Sequence, residues 1–112
     1  MLKKEFRLRS KKEFKAVYNA GRVIGGNYLV IYLRANRKEK NRWGFVVSRK
    51  VGGAVIRNQI KRRLREVTKM IQNNLKTGYD IVVIARSGIR KVEFWSLLKD
   101  LEHTCRRAKV YI

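Results

Sequence analysis

A chain of 112 residues suits one domain with a modest core, and 45% hydrophobic content excludes disorder by composition. Its 29 Lys and Arg against 8 Asp and Glu leave a net charge of +21, which repels itself in a compact fold and calls for a polyanion: nucleic acid first, an anionic membrane surface second. No apolar run approaches the roughly 18 residues of a membrane span, MLKKEFRLRS lacks an apolar signal core, and one cysteine, Cys105, excludes an internal disulfide or a zinc cluster, so a reducing cytoplasm is expected.

Ser10-Lys11-Lys12-Glu13 reads as a capping box that opens a first helix. That helix runs to about Ala20, with Gly21 in the left-handed position that ends it. Phe14, Val17 and Tyr18 share one side at spacings of three and four. Arg22–Ile24 reads as a short edge strand. Asn27–Ala35, NYLVIYLRA, is a strand by its β-branched and aromatic content. Tyr28, Val30 and Tyr32 form one face and Leu29, Ile31 and Leu33 the other, so both faces should be covered. Asn36–Asn41, NRKEKN, reads as a solvated hairpin loop, and Arg42–Lys50 returns as the next strand. Gly52-Gly53 breaks it and leads into a long helix, about Ala54 to Asn74. Gly78–Arg86, GYDIVVIAR, is a buried strand. A last helix covers about Val92–Lys109, with Phe94, Leu97, Leu98, Leu101 and Cys105 at helical spacing. The order α-β-β-β-α-β-α predicts a single α+β sandwich domain over 1–112, with a mixed sheet of about four strands.

The long helix carries two messages. At about 100° per residue, Ile56, Ile60, Leu64, Val67, Ile71 and Leu75 fall in one third of its circumference, the width of a core-facing stripe. Arg57, Lys61, Arg62, Arg65 and Lys69 share a second arc with Asn58, and that arc is free of acids. A solvated face normally mixes signs, because like charges four residues apart cost a few tenths of a kcal/mol each. Phosphate contacts offset that cost by releasing counterions, and arginine suits bidentate phosphate recognition. The glycine pair also brings backbone N–H groups to the helix N-terminus, a weaker anion signal.

Lys50, Gly52, Ala54-Val55, Arg57-Asn58, Lys61-Arg62 and Arg65 resemble, in order and spacing, the "RNR" signature of the bacterial ribonuclease P protein family. Arg7–Phe14, RLRSKKEF, followed by Tyr18 and Gly21, is similar to that family's N-terminal segment, and the resemblance covers essentially the whole chain. It implies an α/β sandwich with a left-handed β-α-β crossover, against the general right-handed rule. It implies a small accessory protein, monomeric by itself, that binds a large catalytic RNA. Together they remove the 5′ leader of precursor tRNA with Mg²⁺ held by the RNA, none being bound tightly by the protein. The signature helix, through Arg57, Asn58, Lys61, Arg62, Arg65 and Lys69, would meet the catalytic RNA. A cleft between the first helix and the sheet would take the single-stranded leader.

Phe14 and Tyr18 one turn apart, and Tyr28 and Tyr32 on one strand face, offer stacking surfaces for unpaired bases. The bland alternative is that these aromatics and Val30 are core; for Val30 the core reading is preferred. Family members often carry cations where Ser48, Gly53 and Ser87 stand, which leaves Arg49, Lys50 and Arg86 as the expected backbone contacts.

No catalytic constellation is visible. His103 lies among charged residues on the last helix, and the acids are scattered, so no general base stands beside a nucleophile. Cys105, Trp43 and Trp95 read as packing. The main rival is a ribosomal-type RNA-binding protein with no processing role. A DNA-binding reading of the long helix is weaker, because no helix-turn-helix partner precedes it.

Overall fold

The computed structural model describes residues 3–112. The capping box forms as expected. Ser10 Oγ accepts the Glu13 N–H at 3.2 Å, Glu13 Oε1 accepts the Ser10 N–H at 3.0 Å, and helix α1 follows over Lys11–Asn19. Gly21 then takes φ +81°, the left-handed conformation that ends the helix.

Strands β1 (Arg22–Gly25), β2 (Leu29–Ala35), β3 (Arg42–Val46) and β4 (Tyr79–Ala85) make one sheet in the order β1-β2-β4-β3. The first two pairings are antiparallel, and β3 with β4 is parallel. Helix α2 (Ala54–Ile71) connects β3 to β4, and α3 (Phe94–Arg107) closes the chain. Element order, helix count and mixed sheet agree with the sequence reading, and β1 takes the edge position expected for it.

The hairpin does not form. β4 lies between β2 and β3, and its Ile81, Val82 and Val83 have no exposure at all. A strand apolar on both faces is most stable in the middle of a sheet, hydrogen-bonded along both edges. Residues 36–41 therefore bridge the start of β4. The Asn36 N–H donates to Gly78 O at 2.8 Å, Asn41 Nδ2 donates to Lys76 O at 2.8 Å, and the Tyr79 N–H donates to Asn41 Oδ1 at 2.8 Å.

α2 and α3 pack together over one sheet face, covering Leu29, Ile31, Leu33, Trp43, Ile81 and Val83. Ile60, Leu64, Val67 and Ile71 of α2 are buried there. Each contributes about 1.5–3 kcal/mol, which outweighs the few tenths lost per like-charged pair on the same helix. The opposite face holds α1, whose Val17 is buried with Leu8 and Val82. This cover is incomplete: Val30 and Tyr32 are half-buried, where coverage of both faces was expected.

Several boundaries and one residue depart from expectation. α2 ends at Ile71 in a 3₁₀ turn over Gln72–Asn74, so Leu75 leaves the helix yet stays buried. β3 stops at Val46, and a turn closed by the Val51 N–H donating to Ser48 O carries Arg49 and Lys50. β4 is one residue shorter at each end than expected, and α3 starts at Phe94 behind Glu93 as its cap. Trp43 is core as expected, but Trp95 is 61% exposed, because its ring lies on the outer side of α3 beside Phe94.

Candidate RNA-binding surfaces

Side chains alternate along strands, so the α1-side face can be followed from its registers. One row across the sheet holds Gly25, Val30, Ile84 and Val46; the next holds Val23, Tyr32, Val82 and Gly44. α1 lies over the second row. The Phe14 ring sits on Gly44, where a Cβ would come within 2.5 Å of it. Tyr18 meets Tyr32 edge to face, centroids 5.0 Å apart and planes at 86°. Val30, Ile84 and Val46, half-buried, floor the uncovered part.

The expected aromatic pair is thus neither fully core nor free. Phe14 is half-buried and Tyr18 is 36% exposed. Burial and the neighbouring Tyr32 raise the Tyr18 phenol, so it remains a neutral stacking surface. Outside α1 the two rings line an open groove with Arg9, Lys11 and Lys15.

Tyr28 does not join this face. The Asn27 and Tyr28 N–H groups donate to Asp100 Oδ1 and Oδ2, each at 2.8 Å, so the bend before β2 is held to α3. The Tyr28 ring packs on the main core beside α3. Strand alternation placed it with Tyr32, but the strand begins only at Leu29.

Arg49 and Lys50 follow β3 and Arg86 follows β4, so the parallel pairing puts all three at one end of the sheet, exposed. The Arg86 guanidinium lies over Gly25, where a Cβ would meet its Nη2 at 2.8 Å. These cations therefore border the Val30–Ile84–Val46 floor. Ile84 and Val46 were missed in the sequence; their place on this floor follows only once β4 is known to lie between β2 and β3.

The α2 arc is a second surface. Asn58, Lys61, Arg62, Arg65 and Lys69 line one groove along the helix. Arg57 is not among them. It stands half-buried at the margin with Nε shielded, because its position lies about 100° from Asn58, toward the apolar stripe. Glu66 lines the same groove, so the arc is not free of acids as expected; about 80° from Asn58, it closes one edge.

Among the described residues, no three His, Cys, Asp or Glu side chains converge. Asp80 is bound to Arg42 and Asn36, and Asp100 to backbone N–H groups. Cys105 is buried, and burial with nearby Glu102 pushes its thiol up to about 12. Among the described residues, no helix is long and apolar enough to cross a membrane.

A sequence profile described as Ribonuclease P matches residues 2–109. The ribonuclease P protein component of Syntrophomonas wolfei is 39% identical over 111 residues, covering 99% of this chain and 93% of the relative. That of Streptococcus pneumoniae is 38% identical over 110 residues, covering 98% and 89%. Among solved structures, the Staphylococcus aureus RNase P protein superposes with a TM-score of 0.87 at 32% identity, covering 96% of this chain and 98% of that one. The Thermotoga maritima RNase P protein superposes at 0.83 and 33% identity, covering 90% and 96%. With the profile, full-length relatives and fold in agreement, the chain belongs to the ribonuclease P protein family, whose role is maturation of the tRNA 5′ end as a component of ribonuclease P.

Proposed function

We propose that this protein joins two RNAs through two different surfaces. The α2 arc, Asn58, Lys61, Arg62, Arg65 and Lys69 with Arg57 at its margin, grips the catalytic RNA of ribonuclease P through phosphates. The exposed flank of α1 and the open sheet floor beside it take the 5′ leader of precursor tRNA: Phe14 and Tyr18 stack on unpaired bases, Tyr32 props Tyr18, and Arg49, Lys50 and Arg86 hold the backbone. Hydrolysis belongs to the RNA subunit and its Mg²⁺, with the protein lowering the Mg²⁺ requirement by neutralising phosphate repulsion. Monomeric protein acting in the cytoplasm completes this reading.

The observation that carries it is the aromatic pair left half-open beside an apolar floor and bordered by cations. A core would have closed over these rings, and a purely electrostatic binder would not need them. Reconstituted enzyme is titrated with one tRNA, with and without its leader. Phe14→Ala should weaken precursor binding about five-fold or more, since one stacked base is worth about 1–3 kcal/mol, and leave mature tRNA unchanged. Equal loss for both, or for neither, sinks the leader assignment.

A further inference from the structure

Beyond the N-terminal end of α1, on the side of the sheet end away from Arg86, a groove of about 390 Å³ opens between the N-terminal segment and residues 36–41. Two acids line it, and both are neutralised from within. Glu5 pairs with Lys40 at 3.3 Å, and Glu13 pairs with Arg42 at 2.6 Å. Lys4, Arg7, Arg9 and Lys38 line the same groove, and among the described residues none of their charged side-chain nitrogens has a carboxylate within 4.0 Å. Four uncompensated cations facing one cavity repel one another, and an anion relieves that.

The walls are held in place before any ligand arrives. The Leu8 N–H donates to Trp43 O at 2.8 Å, so Arg7 and Arg9 flank a segment pinned to the edge of β3. In the facing loop, the Lys38 N–H donates to Asn36 Oδ1 at 2.8 Å, and Asn36 Nδ2 donates to Lys40 O at 3.2 Å and to Asp80 Oδ1 at 2.8 Å. Preorganised donors bind with less ordering cost. Arg9 also lines the groove of Phe14 and Tyr18, so the aromatic and basic grooves are continuous through one side chain.

We propose that this basic groove is a second single-stranded RNA subsite, which takes the phosphates of the leader beyond the nucleotides stacked on Phe14 and Tyr18. It rests on the leader reading and extends it. The groove has no aromatic lining, so it holds backbone and not bases. Contact there should depend on leader length and salt, and not on leader sequence.

The test is a series of precursor tRNAs whose leaders grow one nucleotide at a time, titrated against the reconstituted enzyme. The variant is Lys38→Ala, whose side chain is exposed and outside the proposed aromatic and catalytic-RNA surfaces. Wild-type affinity should rise in two steps, the second removed by salt. Lys38→Ala should reduce only the second step, several-fold, lowering the log–log salt slope for long leaders by about 0.7 for one lost phosphate contact. Short-leader and mature tRNA should bind as before, and so should the catalytic RNA. Unchanged affinity for the longest leader would make the groove a solvated surface. Equal loss at every length, or weaker assembly with the catalytic RNA, would assign it to the tRNA body or to the RNA subunit. A wild-type enzyme that gains from short leaders but not from longer ones overturns this subsite alone; one that gains from no leader overturns both readings.

Discussion

Arg42 grips Asp80 through two hydrogen bonds, Nε to Oδ1 at 2.9 Å and Nη2 to Oδ2 at 2.8 Å. Its third donor, Nη1, reaches Glu13 at 2.6 Å. One guanidinium thus ties the capping box of α1, through Glu13, to a fully buried carboxylate of β4. Arg34 adds a longer ion pair to Asp80 at 3.5 Å. Removing Arg42 leaves that carboxylate buried and poorly compensated. Arg42→Met should therefore cost about 3–5 kcal/mol in urea denaturation. A loss below about 1 kcal/mol would mean that the pair is solvated.

The same contact sets an acid limit. Burial pushes the Asp80 carboxyl up, but hydrogen bonds from Arg42 and Asn36 and the charges of Arg42 and Arg34 outweigh it and hold the group below its ordinary value. Glu13 is also lowered, chiefly by the Arg9 and Ser10 N–H groups; burial opposes this, and Arg42 adds a further lowering. A carboxyl lowered on folding stabilises fully above its unfolded pKa, about 4, and the gain disappears as pH falls through the folded value. Stability from these two groups should be flat from about pH 8 to 5 and decline below about 4. Asp80→Asn should flatten the decline, as measured by denaturation midpoints across that range; an unaltered acid limb would contradict this assignment.

Gly44 holds the Phe14 ring by having no side chain. Gly44→Ala should lift Phe14 from the sheet and cost about 1–3 kcal/mol, the usual range for overpacking. Leader-dependent affinity should fall with it, while assembly with the catalytic RNA is retained. If leader preference survives a demonstrated loss of stability, the exact seat of Phe14 is irrelevant to binding.

The two sides of α2 should separate cleanly in mutants. Arg62→Ala or Lys69→Ala, both exposed, should leave the melting temperature unchanged and reduce the log–log salt slope for catalytic-RNA binding by about one per phosphate contact. Leu64→Ala, with no exposure, should cost about 2–5 kcal/mol. The arc would prove structural if Arg62→Ala melted the protein early without weakening RNA binding.

Cys105 should resist thiol reagents at neutral pH, because it is buried and its thiol ionises only near 12. Its labelling should accelerate on adding denaturant, tracking unfolding. Fast labelling of native protein would show that α3 opens locally.

Local chemistry decided what the sequence disclosed: the Ser10–Glu13 box, the left-handed Gly21, the apolar stripe of α2 and the element order each depend on neighbours within a turn or a strand. The cationic arc was legible for the same reason, since helical spacing alone gathers Asn58, Lys61, Arg62, Arg65 and Lys69. Long-range pairing was not written locally. Residues 36–41 look like a hairpin whether or not β4 comes between β2 and β3, because insertion is decided by burying both faces of β4. Tyr28 left the aromatic face because Asp100, 72 residues away, holds its backbone. Val46 and Ile84 became a shared floor, and Lys4, Arg9 and Lys38 a shared groove, only when the sheet order brought distant segments together. Helical and turn contacts are encoded within a few residues, but a binding surface assembled across strands is set by the register and burial of the whole sheet.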